Sequence, residues 1–530
     1  MEALAARALR HARSDVLLAA LLAAAGSALL VAAVPPGGDA PAHLYRTLLV
    51  REGVHVWDNL WYAGQYPLVS YSLLYYFPAA LVGNEPLVIG AVVVSAALFA
   101  ALVKGEWGEA GRWPARVFGL LAIAPLFTGT YSYALGFASM LAALLALQRG
   151  RAWLFVPFAA LTVGFSPLAF VFLCIVLLAG ALGRRRITRT TVAVTVALGG
   201  VAAVEIAALE AFPSAGRYPF RTLELAAVLT ACALGIALAL RAPRGQALAA
   251  FFGLWALVSV IGFVVPSPFG ENLTRPRSLV FPLMLLTAAV ARFRPRLLAV
   301  AALGFAFVYN ALPYVFVPAR VEARTAHRTY WAPALAFLQR HGGPNFRVEV
   351  VPTYDHWEAY WLPRSGVALA RGWYRQLDIA ENPVLYRDKF SPAAYRAWLR
   401  RMGIRHVLLP GAHLSSQGAG REAELLRSGR SGLRRVFRSR DWTIYKLRRA
   451  VPLLTGPASA ELTSLGHERI EGRVSAPGVY RLRVNYTRYW NVKAGGVCVE
   501  RTPDGMTAVR ASAPGRFTLL VRAGLGSDAC

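Results

Sequence analysis

Charged residues are scarce in this 530-residue chain. They fill 16% of it, against roughly 25% in ordinary water-soluble domains. Acids are scarcer still, 28 against 57 Lys+Arg, which leaves a net charge of +29. Lysine is nearly absent: 4 of the basic residues are lysine and the rest arginine. Cysteines number only 4, and the apolar content of the chain excludes a small disulfide scaffold. No Gly-x-Gly-x-x-Gly, no P-loop and no His-Glu-x-x-His occurs, so none of these motifs supplies a site. No His, Cys and acid cluster has metal-ligand spacing. What the chain has instead is apolar residues, 56% of it, with a mean hydropathy of +0.44. That content excludes disorder and collagen. Basicity combined with hydropathy suggests membrane spans with positive flanks rather than a polyanion binder. Nucleic acid is therefore not an expected partner.

The composition changes near Val317. Before it, apolar stretches recur that are long enough for about 30 Å of hydrocarbon. They cover residues 15–35, 86–103, 115–130, 132–148, 152–165, 166–182, 190–211, 223–240, 247–265, 278–292 and 297–317. Two continuous apolar blocks, 115–148 and 152–182, are too long for one helix each. They divide at Gly129–Ser132 and at Ser166-Pro167. Positive charge sets the orientation. With Arg7, Arg10 and Arg13 in the cytoplasm, eleven spans place 17 basic residues inside and 6 outside, as the positive-inside rule requires. The inside set includes Lys104, Arg112, Arg116, Arg184, Arg185 and Arg186. This assignment requires that segment 67–82, tyrosine-rich and containing Pro78, does not span but lies at the interface or re-enters. The first span reads as a retained signal-anchor. An odd number of spans sends the remainder outside.

That remainder divides in two. Residues 319–449 alternate helical and strand patterns, with helices at Trp331–Arg340, Pro392–Met402 and Arg421–Arg427 and strands at Phe346–Val351, Ile404–Leu409 and Thr443–Leu447. Ser391 is placed to cap the second helix. Residues 450–530 hold short alternating strands between Pro/Gly turns, such as Val479–Tyr486, Gly496–Glu500 and Phe517–Arg522, as in a small β-sandwich. The expected architecture is a polytopic α-helical membrane module (1–318), an extracytoplasmic α/β domain (319–449) and a small extracytoplasmic β-sandwich (450–530). Cys498 and Cys530 lie where a disulfide can persist, though two cysteines do not by themselves establish one.

The first outer loop is the most informative segment. It reads Asp39-x-x-x-His43, then Trp61-x-x-Gly64-Gln65-Tyr66-Pro67, then the aromatic stretch Tyr71–Phe77. Pro41 suits the first turn of a helix, which makes Asp39 either an N-cap or a functional carboxylate. An acid just after the first span, followed by these motifs, resembles the GT-C superfamily of membrane glycosyltransferases. More closely it is similar to the bacterial membrane proteins labelled "6-pyruvoyl-tetrahydropterin synthase related". The segments Gly372–Gln376 and Asp441–Tyr445 share the likeness. The resemblance implies sugar transfer from a polyprenyl-phosphate donor to a cell-envelope acceptor, outside the bacterial cytoplasmic membrane and with an inverted product. No adjacent acid pair follows the first span. No cofactor is assigned, and a divalent metal stays open.

An acceptor hydroxyl must lose a proton as it attacks the anomeric carbon, so a positioned carboxylate can serve as general base. Asp39 is the first candidate, with His43 beside it, and Asp58 the second. A departing lipid phosphate needs cationic or N–H stabilisation. Arg275, in the outer loop 266–277, is the first candidate, followed by Arg277 and Arg221. Trp61, Gln65, Tyr66, Glu205 and Glu271 are candidate substrate contacts. Glu205 lies inside a span, where an ionisable group is costly and functional by default, or else is hydrogen-bonded between helices. Asp355, Trp357 and Glu358 combine aromatic and acid as acceptor-sugar sites do, or form a solvated loop. Two rivals remain: a transporter or lipid flippase using Glu205 and Glu210, and a non-catalytic scaffold for envelope assembly.

Overall fold

The computed structural model describes residues 2–67, 72–184, 189–212, 216–387, 390–415, 418–524 and 530. Tyr71 and residues 68–70 of the tyrosine-rich segment lie outside the described residues. So do Arg185 and Arg186, and the side chains of Arg7, Arg10 and Arg13. The chain forms two compact units. One holds residues 2–40, 72–212 and 217–319; the other holds 41–67, Gly216 and 320–530. Residues 41–67, expected with the helices, therefore fold with the C-terminal region, while Asp39 and Ala40 stay with the helices.

Each expected span falls on helix. Among the described residues, seven helical stretches are long and apolar enough to cross a membrane: Ser14–Ala33, Asn84–Thr128, Tyr131–Gln148, Pro167–Arg184, Thr191–Ala211, Thr222–Ala239 and Gln246–Val264. The other expected spans are shorter or broken. Stretch 115–130 becomes two helices, Arg112–Leu121 and Ala124–Thr128. Stretch 152–165 carries the 11-residue helix Phe155–Phe165, and stretch 278–292 the 14-residue helix Arg277–Val290. The last lies in the helix Arg296–Arg320. Segment 67–82 contains, where described, only the seven-residue helix Tyr76–Val82.

Both expected breaks occur, for identifiable reasons. At Gly129 the backbone enters the left-handed region (φ +72), which ends a helix. At Ser166 it turns extended, and the next helix opens on Pro167 with the Ser166 hydroxyl accepting the Ala169 N–H. The helices leave apolar surface outside. Only 6% of the Thr191–Ala211 stretch is buried, and Leu223 and Leu297 are 79% and 83% exposed. Water does not tolerate such a surface at this extent; hydrocarbon does.

Ion pairs connect distant parts of this unit. Asp15, well inside the first helix (Glu2–Ala33) at the start of its apolar stretch and 2% exposed, lies 2.7 Å from Arg116 and 3.1 Å from Lys104. Just beyond the far end of that helix, Asp39 pairs with Arg275.

In the second unit, the strands β1 (Arg347–Val350), β2 (Ile404–Pro410), β3 (Arg434–Arg438) and β4 (Trp442–Lys446) form one sheet in the order β1-β2-β4-β3. β1 runs parallel to β2; the other pairings are antiparallel. β3 was not expected, because its sequence, Arg-Arg-Val-Phe-Arg, lacks an apolar face. Helices Arg328–His341, Pro392–Arg401 and Ala419–Arg427 accompany the sheet. Ser391 caps the second of these, accepting the Ala394 N–H at 3.1 Å.

Residues 454–521 form two four-stranded sheets. One runs β10 (Val497–Arg501), β11 (Met506–Ala511), β8 (Gly478–Asn485), β5 (Leu454–Thr455). The other runs β6 (Ala460–Leu465), β7 (Arg469–Val474), β12 (Gly515–Val521), β9 (Trp490–Ala494). Tyr480, Leu482 and Val509 from one sheet share a core with Ile470, Trp490 and Leu519 from the other. Cys498 and Cys530 are joined, their Cα atoms 5.1 Å apart.

Candidate functional site

In the helical unit, Asp39 stands one residue before the helix Ala40–Arg51. Its N–H donates to Thr128 O at 3.0 Å. That approach depends on Gly129: a Cβ there would stand 2.3 Å from Ala40 N and 2.6 Å from Asp39 N, closer than any side chain permits. The Asp39 Oδ2 accepts from Arg275 Nη2 at 2.8 Å, across 236 residues. The two side chains keep 13% and 18% exposure, so the pair is sheltered but reachable.

Arg275 is aimed by its own loop. Its Nε donates to Asn272 Oδ1 at 2.9 Å, and its backbone N–H to Asn272 O at 2.9 Å. The turn Gly270–Thr274 hangs from the helix Gln246–Val264 through Trp255, whose Nε1 donates to Leu273 O at 2.9 Å. The other two candidate arginines also face carboxylates. Arg221 meets both oxygens of Glu271, each at 2.7 Å, the bidentate geometry guanidinium favours. Arg277 donates to Glu224 Oε2 at 2.6 Å and lies 4.1 Å over the Tyr309 ring. All three candidate phosphate contacts thus hold a carboxylate in the resting chain. Glu271, expected at the substrate, is the partner of Arg221. Glu224 and Asn272 escaped the sequence reading. Asn272, three residues before Arg275 in a tight turn, was open to it; the pairing of Glu224 with a residue 53 positions away was not.

His43 is buried one turn into its helix, 1% exposed. Glu205 is buried within the helix Arg189–Ala211 and forms no ion pair among the described residues. Glu210 on the same helix is exposed.

Asp58 belongs to the other unit and has no exposure. One oxygen accepts from Tyr45 Oη at 3.0 Å. The other accepts from the Leu60 N–H at 3.0 Å and from His467 Nδ1 at 2.9 Å. Burial works against a charged imidazole, but the Asp58 hydrogen bond and the charges of Asp58, Glu52 and Glu468 outweigh it and raise the His467 pKa. Burial and Asp58 also push the Tyr45 hydroxyl up, so it remains a donor. A carboxylate engaged on both oxygens, out of contact with solvent, is poorly placed to take a proton from substrate. Asp58 instead holds the loop.

The Trp-x-x-Gly-x-Tyr-Pro motif does the same. Trp61 is fully buried and donates to Ala359 O at 3.0 Å. Tyr66 shares a 2.8 Å hydrogen bond with Thr487, and Gln65 is buried while its backbone pairs with Asp58. Glu468 Oε1 collects the N–H groups of His55, Val56 and Trp57 at 3.3, 3.0 and 3.4 Å. These residues fasten segment 55–66 into its unit.

Asp355, Trp357 and Glu358 do not form the solvated loop expected as the alternative to an acceptor site. They are 2%, 3% and 5% exposed. Glu358 Oε2 accepts from Thr353 Oγ1 at 2.6 Å. A cluster absent from the sequence reading lies in the same domain: buried Arg371 reaches Asp378 at 2.6 Å, Glu349 at 3.4 Å and Glu422 at 3.6 Å. Burial and the neighbouring Glu422 raise the Glu349 pKa. Among the described residues, no group of three or more His, Cys, Asp or Glu is arranged to hold a metal ion. In comparison with known proteins, no family model matches this chain, and no curated protein does.

Proposed function

We propose that this chain is an integral membrane glycosyltransferase of the GT-C type. It transfers a sugar from a polyprenyl-phosphate donor to an envelope acceptor at the outer face of the bacterial cytoplasmic membrane. The observation that carries the reading is the Asp39–Arg275 pair. These two residues are the first choices for base and phosphate contact on separate chemical grounds, and they meet at 2.8 Å. The eleven-span topology, with the N-terminus inside, is supported by the ion pairs of the first helix. Asp15, at the start of its apolar stretch Ser14–Ala33, meets Arg116 and Lys104, assigned inside; Asp39, beyond its end, meets Arg275, assigned outside. The Cys498–Cys530 bridge suits an oxidising outer compartment.

At rest, Asp39 and Arg275 neutralise each other. A donor phosphate competes for the guanidinium, which accepts phosphate as readily as carboxylate. The exchange frees Asp39. The acceptor oxygen then attacks the anomeric carbon, its proton passes to Asp39, and the bond from that carbon to the phosphate oxygen breaks. The electron pair leaves with the polyprenyl phosphate, held by Arg275. Attack opposite the leaving group inverts the anomeric centre.

The test is transfer of labelled sugar from polyprenyl-phosphate donor in membranes carrying Asp39→Asn. The expected loss is about 10²–10⁴-fold, the range for removal of a general base, with normal folding. Wild-type transfer by that variant would sink the assignment. The same pair also favours a second reading, a scaffold in which Asp39 and Arg275 merely brace the helix ends. There the swap Asp39→Arg with Arg275→Asp would restore whatever either single change costs. Under the enzymatic reading the swap can restore stability but not transfer.

A further inference from the structure

The outer α/β domain carries a feature unconnected with the membrane chemistry. A cavity of about 680 Å³ opens between the end of the helix Arg328–His341 and the strands β2, β3 and β4. That volume lies within the range of ordinary ligand pockets, about 300–1,000 Å³. Arg405, Arg434, Arg435, Lys446 and Arg340 line it, and no acid does. None of the five forms an ion pair with a described carboxylate. Elsewhere in this chain arginines find acids readily, as at Arg221, Arg277 and Arg371.

The sheet register concentrates the charge. Lys446 on β4 lies opposite His406 on β2 and opposite Arg434 on β3. Like charges directly across a sheet destabilise it. His406, 3% exposed, feels the result: burial, then Arg405, Lys446 and His341, push its imidazole down to about 4. The cavity is thus strongly electropositive above a neutral, buried imidazole.

Two simpler explanations cover part of this. Charge on β3 guards an exposed sheet edge, which accounts for Arg434 and Arg435. Arg340 donates to Ala336 O and answers the carbonyl end of its helix. Neither explains Arg405 and Lys446, on the interior strands, turned to the same cavity. We propose that this cavity binds a polyvalent oxyanion, a phosphate or pyrophosphate group. Converging guanidinium groups and an ammonium suit its charge and oxygen geometry. The group can come from a soluble phosphorylated compound or from a phospholipid headgroup.

The experiment is equilibrium dialysis of the full chain, in neutral detergent, against labelled inorganic pyrophosphate. One saturable site is expected, weakened by added salt. The pair Arg405→Gln with Arg434→Gln should weaken it about ten-fold or more, since each charge-assisted contact removed costs that order of affinity. The single change Arg434→Glu, on the exposed edge, provides a check that does not disturb an interior strand. Binding should survive Arg275→Gln, and also Arg488→Gln with Arg516→Gln, two exposed arginines of the β-sandwich that do not line the cavity. Absence of saturable binding, or equal binding by the cavity variants, overturns the proposal. So does loss on Arg275→Gln alone, or tighter competition by polygalacturonate than by unlabelled pyrophosphate. In nanodiscs, weaker binding in phosphatidylglycerol than in phosphatidylcholine would support the site with a headgroup as its occupant; equal binding would support it with a soluble phosphate.

Discussion

Asp58 and Asp39 look alike in the sequence, each an acid in the segment after the first apolar stretch, and the fold gives them different surroundings. Asp58 is fully buried and hydrogen-bonded on both oxygens, with His467 409 residues away. No local pattern announces such a partner. The pairing makes stability depend on pH with a definite sign. The His467 pKa is raised in the folded chain above its usual 6.5. Its contribution is therefore complete below the usual value and disappears as pH rises through the raised one. The difference in melting temperature between the chain and His467→Gln should shrink on going from acid to alkaline pH. A constant difference would refute this account. Asp39 and Arg275 were legible because both lie in loops that flank apolar helices, where a charge must be explained. Their contact, and the occupation of Arg221 and Arg277 by Glu271 and Glu224, was not.

The helices and most strands of the α/β domain could be located because period and length signal them strongly. The strand β3 could not, since an edge strand needs no apolar face. Nor could the function of segment 57–67. Its Gly64 adopts φ +114, and a Cβ there would stand 2.4 Å from Trp57 Cζ2. Gly64→Ala should cost about 1–3 kcal/mol, the scale of forced backbone strain, read as a lowered melting temperature and faster proteolysis within 55–67. Gly420→Ala, in the helix Ala419–Arg427 with nothing within 4 Å, should be neutral or stabilising by up to about 1 kcal/mol. Equal effects at the two glycines would discredit the steric argument.

For the whole molecule, the disulfide closes the C-terminus onto β10 across 32 residues. Cys498→Ser should cost about 2–4 kcal/mol, the usual value of a loop closure. It should expose residues 450–530 to protease while leaving the helical unit intact, and unchanged protease resistance would show that the bridge is dispensable. Composition alone sets the broad class of this chain: so many apolar residues and so few charges call for long apolar helices, and seven among the described residues are long enough to cross a membrane. Its breaks at Gly129 and Ser166-Pro167 follow from local backbone chemistry. Everything that depends on residues distant in sequence was settled by folding. Segment 41–67 joins the C-terminal unit rather than the helices, Asp39 meets Arg275, Asp58 meets His467, and cations from a helix and three strands gather around one cavity. Periodicity and turn chemistry act over a few residues and leave a mark in the sequence. A contact across hundreds of residues is selected by the packing of whole elements, and leaves none.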